Sequence, residues 1–102
     1  MAMKFNESNF EKEVLQSDVP VMVDFWAEWC MPCRMLGPVI EEIAKEKDGV
    51  CKVGKVNVDE SQSLAMKYGV MNIPTVLVFK NGQVADKSIG VVPKEKLLNM
   101  LK

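Results

Sequence analysis

The amino-acid sequence predicts an α/β protein whose mixed central sheet carries helices on both faces. Apolar runs of strand length alternate with segments of helical periodicity along the chain. One run, "VPVMVDFWA" from Val19 to Ala27, is nearly continuous and rich in valine and aromatics, as in a strand covered on both sides. Near the carboxyl end, Asn81-Gly82 separates two strand-like runs and marks a tight hairpin.

In chain order, a short strand around Met3 to Phe5 is followed by "NESNFEKEVLQS", which carries Phe10 and Val14 on one face of a helix. Asn6 and Ser8 are cap-type residues, and Ser8 with Glu11 has capping-box spacing. The run around Asp24 then takes a central, parallel place. From Cys30 the longest helix places Met35, Val39, Ile40 and Ile43 at helical spacing, with a kink at Pro38 and an end at Gly49. "VCKVGKVNVDE" alternates as a strand, "ESQSLAMKYG" forms a short helix closed by Gly69, and "PTVLVFKNGQVADKSIG" is the hairpin. A last helix begins near Pro93 and packs Leu97, Leu98 and Leu101. The order β-α-β-α-β-α-β-β-α requires right-handed crossovers in the parallel half.

A chain of 102 residues, 48% hydrophobic and 26% charged, suits one domain, 1–102, with a modest core. Its 13 basic and 14 acidic side chains form no long same-sign blocks, so neither nucleic acid nor a membrane surface is expected as a partner. No segment has the apolar core of a signal peptide, and none approaches about 18 uninterrupted apolar residues. A cytoplasmic protein is expected.

The stretch "DFWAEWCMPCR", Asp24 to Arg34, raises the question of chemistry. Its two cysteines could be a structural staple, half a metal site or a redox pair. A permanent staple is disfavoured in a reducing compartment. The chain has no histidine, Cys51 stands alone and there is no second CxxC, so a four-ligand zinc site lacks donors and no metal or other cofactor is expected. Cysteines three apart on a helix are surface neighbours within disulfide reach. Cys30 follows a buried strand and opens a helix, where free N–H groups and the dipole favour a thiolate, and Pro32 suits a first turn that needs no N–H. Redox chemistry is the reading this spacing supports. Asp24, inside an apolar run, should be desolvated with its pKa pushed upward, and an ion pair with Lys55 of the neighbouring strand would neutralise it.

"VDFWAEWCMPC" resembles the active-site stretch of the thioredoxin family. "KVNVDE" with Lys55, "YGVMNIPT" with Pro74, "FKNG" at the hairpin and Gly90 follow in the family's order, so the resemblance covers nearly the whole chain. It implies the thioredoxin fold, a five-stranded mixed central sheet flanked by four helices, and a protein-disulfide reductase that acts through a Cys30/Cys33 dithiol and maintains cell redox homeostasis. Cys30 would be the exposed nucleophile and Cys33, one turn deeper, would resolve the mixed disulfide. Asp24 would accept the proton from Cys33. Pro74 would be a cis-proline facing the pair, and Trp29, Ile73, Gly90 and Val91 would form the rim that touches partners, with Trp26 packing beneath.

Implied partners are disulfide-containing target proteins and a thioredoxin reductase, NADPH-flavin or ferredoxin-linked, with the chain itself a monomer. Met31 replaces the family's usual glycine, so Met31, Pro32 and Lys55 are the residues expected to tune the couple. Cys51 should be buried as a small hydrophobe. Two other readings compete: an oxidant or isomerase on the same fold, and a redox-inactive docking module using the surface around Trp29.

Overall fold

The structure, a computed structural model, describes residues 1–102. Five strands, β1 (Met3–Lys4), β2 (Val21–Trp26), β3 (Lys52–Asn57), β4 (Thr75–Lys80) and β5 (Gln83–Ile89), form one sheet in the order β1-β3-β2-β4-β5. β1 and β2 run parallel to β3, whereas β4 is antiparallel to both β2 and β5. A π-helix at Glu11–Leu15 and the α-helices α1 (Met31–Glu46), α2 (Gln62–Lys67) and α3 (Lys94–Met100) complete the expected five strands and four helices. β2 is the central strand, buried from Val21 to Phe25, as its apolar run predicts.

The pleat of β2 sends alternate side chains into two separate cores. Val21, Val23 and Phe25 join Phe5, Phe10, Val14, Leu64, Leu77 and Phe79 beneath the π-helix and α2. There the Phe10 ring meets Phe79 edge-on at 5.6 Å and lies 5.5 Å from Tyr68. Met22 joins Leu36, Ile40, Ile43, Val53, Val76, Val78 and Leu97 on the opposite face, beneath α1 and α3. Asp24, two residues on from Met22, therefore points to the α1 side.

Local expectations are corrected at four points. Ser8 and Glu11 form no capping box; instead Asn6 Oδ1 accepts from the Ser8 N–H at 2.9 Å, and Asn9 Oδ1 accepts from the Asn6 N–H at 2.9 Å. The helix there is π-type at its end, with the Gln16 N–H donating to the Glu11 carbonyl. Met35 is exposed and Leu36 takes the core position, because α1 turns its apolar stripe one residue later than the Met35 register implies. α1, which carries Pro38 inside it, stops at Glu46 and not at Gly49, which occupies the left-handed region (φ 83°) in the turn beyond it. Asn81 and Gly82 both have positive φ, the geometry of a two-residue hairpin that matches strand twist.

Gly54 of β3 has a steric role. A Cβ there would lie 2.3 Å from Cε2 of the fully buried Phe5 ring. Gly54→Ala is expected to displace that ring and cost about 1–3 kcal/mol, read as a lower urea midpoint at unchanged m. An unchanged midpoint would show that β1 can move away freely.

Candidate active site

β2 ends at Trp26, and after three intervening residues the chain enters α1 with Cys30 as its N-cap (φ −92°, ψ 108°). Cys30 and Cys33 are joined as a disulfide with their Cα atoms 5.2 Å apart. The Cys33 N–H donates to Cys30 Sγ at 3.2 Å, one of the free amides at the start of a 16-residue helix, and Pro32 in the same turn has none to leave unsatisfied. That amide and the helix dipole stabilise negative charge on Cys30 once the pair is reduced.

Cys30 is more covered than an exposed nucleophile: 5% of its surface remains open, against 1% for Cys33. Ala27 packs against the pair together with Trp26, Val58 and Ile73, and Cys30 Sγ lies 3.7 Å from the Ile73 carbonyl oxygen. The Ile73-Pro74 peptide is cis, Pro74 is buried, and its carbonyl accepts from the Gly90 N–H at 2.8 Å. Gly90 has φ 87°, which only glycine adopts freely, and Val91 beside it is exposed. Thus the structure brings Ile73 to the sulfurs and ties Gly90 to Pro74, the next residue of that loop. Met31 and Trp29 stand out into solvent on either side of Cys30.

Asp24 is fully buried and neither carboxylate oxygen has a hydrogen-bond partner. Burial pushes its pKa from 3.8 up to about 7, with the nearby Lys55 charge opposing the rise. The expected Asp24–Lys55 ion pair is not formed. The two residues are register partners on β2 and β3, but Lys55 Nζ sits over the Trp26 ring, 4.4 Å from its centroid. A half-buried ammonium keeps part of its hydration there while gaining the ring's quadrupole, which full burial beside Asp24 would deny it. Trp26 therefore does more than pack beneath the site.

Three contributors escaped the sequence reading. Asp59 Oδ2 accepts from Trp29 Nε1–H at 2.8 Å and fixes the orientation of that ring. Ala27 fills the space behind the disulfide. Gly37, buried on α1, faces the Lys55 ammonium: a Cβ there would meet Nζ at 3.5 Å, an ordinary van der Waals contact. The parallel pairing of β2 with β3 supplies the signal that finds Asp59, since residues just past the ends of adjacent parallel strands are neighbours in space.

Cys51 is half-buried and free, at the entry to β3, not buried as expected. Only part of its side chain packs against the α1 core, because the chain is still turning out of the Asp48-Gly49 bend. Cys51→Ala is expected to leave disulfide-reducing activity unchanged and to cost at most about 1 kcal/mol. A loss of turnover in that variant would place Cys51 in the reaction.

A redox-active disulfide at a helix start, with a buried unpartnered carboxylate on the central strand that leads to it, defines a thiol-disulfide oxidoreductase. The whole chain, residues 1–102, matches the thioredoxin family. It is 52% identical over 101 residues to the thioredoxin of Rickettsia felis, covering 99% of this chain and 96% of that one. To thioredoxin 1 of a Nostoc species it is 52% identical over 100 residues, covering 98% and 94%. To the chloroplastic M-type thioredoxin of Pisum sativum it is 54% identical over 92 residues, 90% of this chain and 54% of that one. The chain belongs to the thioredoxin family, and its activity is that of a protein-disulfide reductase.

Proposed function

We propose that Cys30 attacks and Cys33 resolves. The reduced Cys30 thiolate attacks a target disulfide, forming a Cys30–target bond and expelling one target thiolate. Cys33 then gives its proton to Asp24, and its thiolate attacks the Cys30 sulfur. The Cys30–Cys33 bond forms, the second target thiolate leaves, and the target has gained the two electrons the dithiol lost. The observation that carries this order is the Cys33 amide directed at Cys30 Sγ, since it stabilises charge on Cys30 and not on Cys33.

Trp29, Ile73, Pro74, Gly90 and Val91 form the rim on which an extended target segment lies. Lys55 and Pro32 tune the pair electrostatically and through the helix start. The chain works as a monomer in the cytoplasm, carrying electrons from an NADPH-flavin or ferredoxin-linked reductase; no helix is long and apolar enough to cross a membrane. The test is reduction of insulin disulfides together with the reduction potential measured against glutathione. Turnover with a strongly reducing potential supports the assignment. An oxidising potential points to an oxidant or isomerase, and no turnover to a docking module.

Met31 projects into solvent and leaves the helix amides in place, so its influence falls on the contact surface and not on the thiolate. Met31→Gly is expected to move the potential by less than about 30 mV, yet to change rates unevenly among three unrelated disulfide substrates. A large potential change with all rates moving together would overturn this.

A further inference from the structure

The chain has eight methionines, and three of its most exposed apolar side chains belong to the two segments that carry and face the disulfide, the start of α1 and the loop before Pro74. Met31 (66% exposed) follows Cys30 directly, and Met35 (63%) is its i+4 neighbour on α1, so the two share one helix face. Met71 (90%) projects from the loop whose Ile73 carbonyl lies 3.7 Å from Cys30 Sγ. None is needed to fill the core; Leu36, Ile40 and Ile43 do that from the same helix. An exposed methionine gives a soft, adaptable contact, but its thioether is also open to oxidants.

We propose that Met31, Met35 and Met71 form a reversible oxidation site that controls target docking separately from the thiol couple. Hydrogen peroxide transfers one oxygen atom to each thioether. The O–O bond breaks, an S=O bond forms, water leaves, and methionine is oxidised by two electrons as the peroxide is reduced. When the cysteines are already joined as a disulfide, their sulfurs are closed to the first step of thiol oxidation, and the methionines are the open sulfurs at the site. The product replaces an apolar contact with a strong dipole on the surface that targets must desolvate. Methionine sulfoxide reductases reverse the change, whereas ordinary dithiols that reduce the disulfide do not. This inference rests on the protein-disulfide reductase reading, which the rate of untreated protein tests on its own.

The test treats the disulfide form with hydrogen peroxide, removes the oxidant, reduces the disulfide with dithiothreitol and maps sulfoxides by peptide mass. Rates are then measured on insulin and on a small aromatic disulfide that needs no extended docking. The treated protein is expected to lose roughly tenfold in kcat/KM for insulin while its rate on the small disulfide is unchanged. Methionine sulfoxide reductase should restore the insulin rate. The triple variant Met31→Leu, Met35→Leu, Met71→Leu, compared with its own untreated rate, should show no loss. A Met66→Leu variant, which removes an exposed methionine on α2, should lose as much as the parent. Equal losses in the parent and the triple variant, a parallel fall on the small disulfide, or complete oxidation of the three residues without loss would each overturn the proposal.

Discussion

Asp24→Asn is expected to stabilise the oxidised protein by about 2–4 kcal/mol at alkaline pH and by little near pH 4. In the parent, burial raises the Asp24 pKa from 3.8 to about 7. Between those two values the native state keeps a proton that the unfolded chain has released. Stability therefore falls as pH rises through that window and levels off above it. At about 1.4 kcal/mol per pH unit the full fall is about 4 kcal/mol. Asparagine has no such ionisation, so its stability profile should be flat where the parent's declines. Urea unfolding at a series of pH values measures both curves, and parallel curves would show that Asp24 titrates alike in the two states. Turnover should respond in the opposite sense. As the proton acceptor for Cys33, Asp24 must be ionised, so the parent's rate should rise through about pH 7 while the variant is slower, by roughly a hundredfold or less, and lacks that rise. Unchanged turnover from about pH 6 to about pH 9 would remove the proton-transfer role and leave the stability effect standing.

Cys33→Ser is expected to abolish turnover and to accumulate stable mixed disulfides on Cys30, because the first attack proceeds and the second has no thiolate. Cys30→Ser should also abolish turnover but capture few targets. Cys33 is nearly closed to solvent, and no amide is directed at its sulfur as one is at Cys30. Non-reducing electrophoresis after mixing each variant with insulin or a cell extract distinguishes the two. Equal capture by both would mean that either sulfur can attack, and the assignment of roles would fail.

The mixed sheet, its central strand and the redox pair could be read from residue order because each has a short-range cause. Strand and helix periodicities reflect which faces are buried, Asn81-Gly82 is one of few pairs that tolerate positive φ twice, and the spacing of Cys30 and Cys33 sets their reach within one helical turn. Other features depend on residues distant in sequence. Spacing along α1 pointed to a stripe with Met35, and contact with β2, β4 and α3 put Leu36 in the core in its place, leaving Met35 outside. Strand pairing placed Lys55 beside Asp24, as expected, yet the ammonium's hydration and the Trp26 face drew it away, so the carboxylate stayed unpartnered with its pKa raised. The covering of Cys30 by Ala27, Val58 and Ile73 and the bond from Trp29 to Asp59 likewise join separate loops. Such contacts are chosen by competition among neighbours for space and solvent, and that competition exists only once the chain has closed.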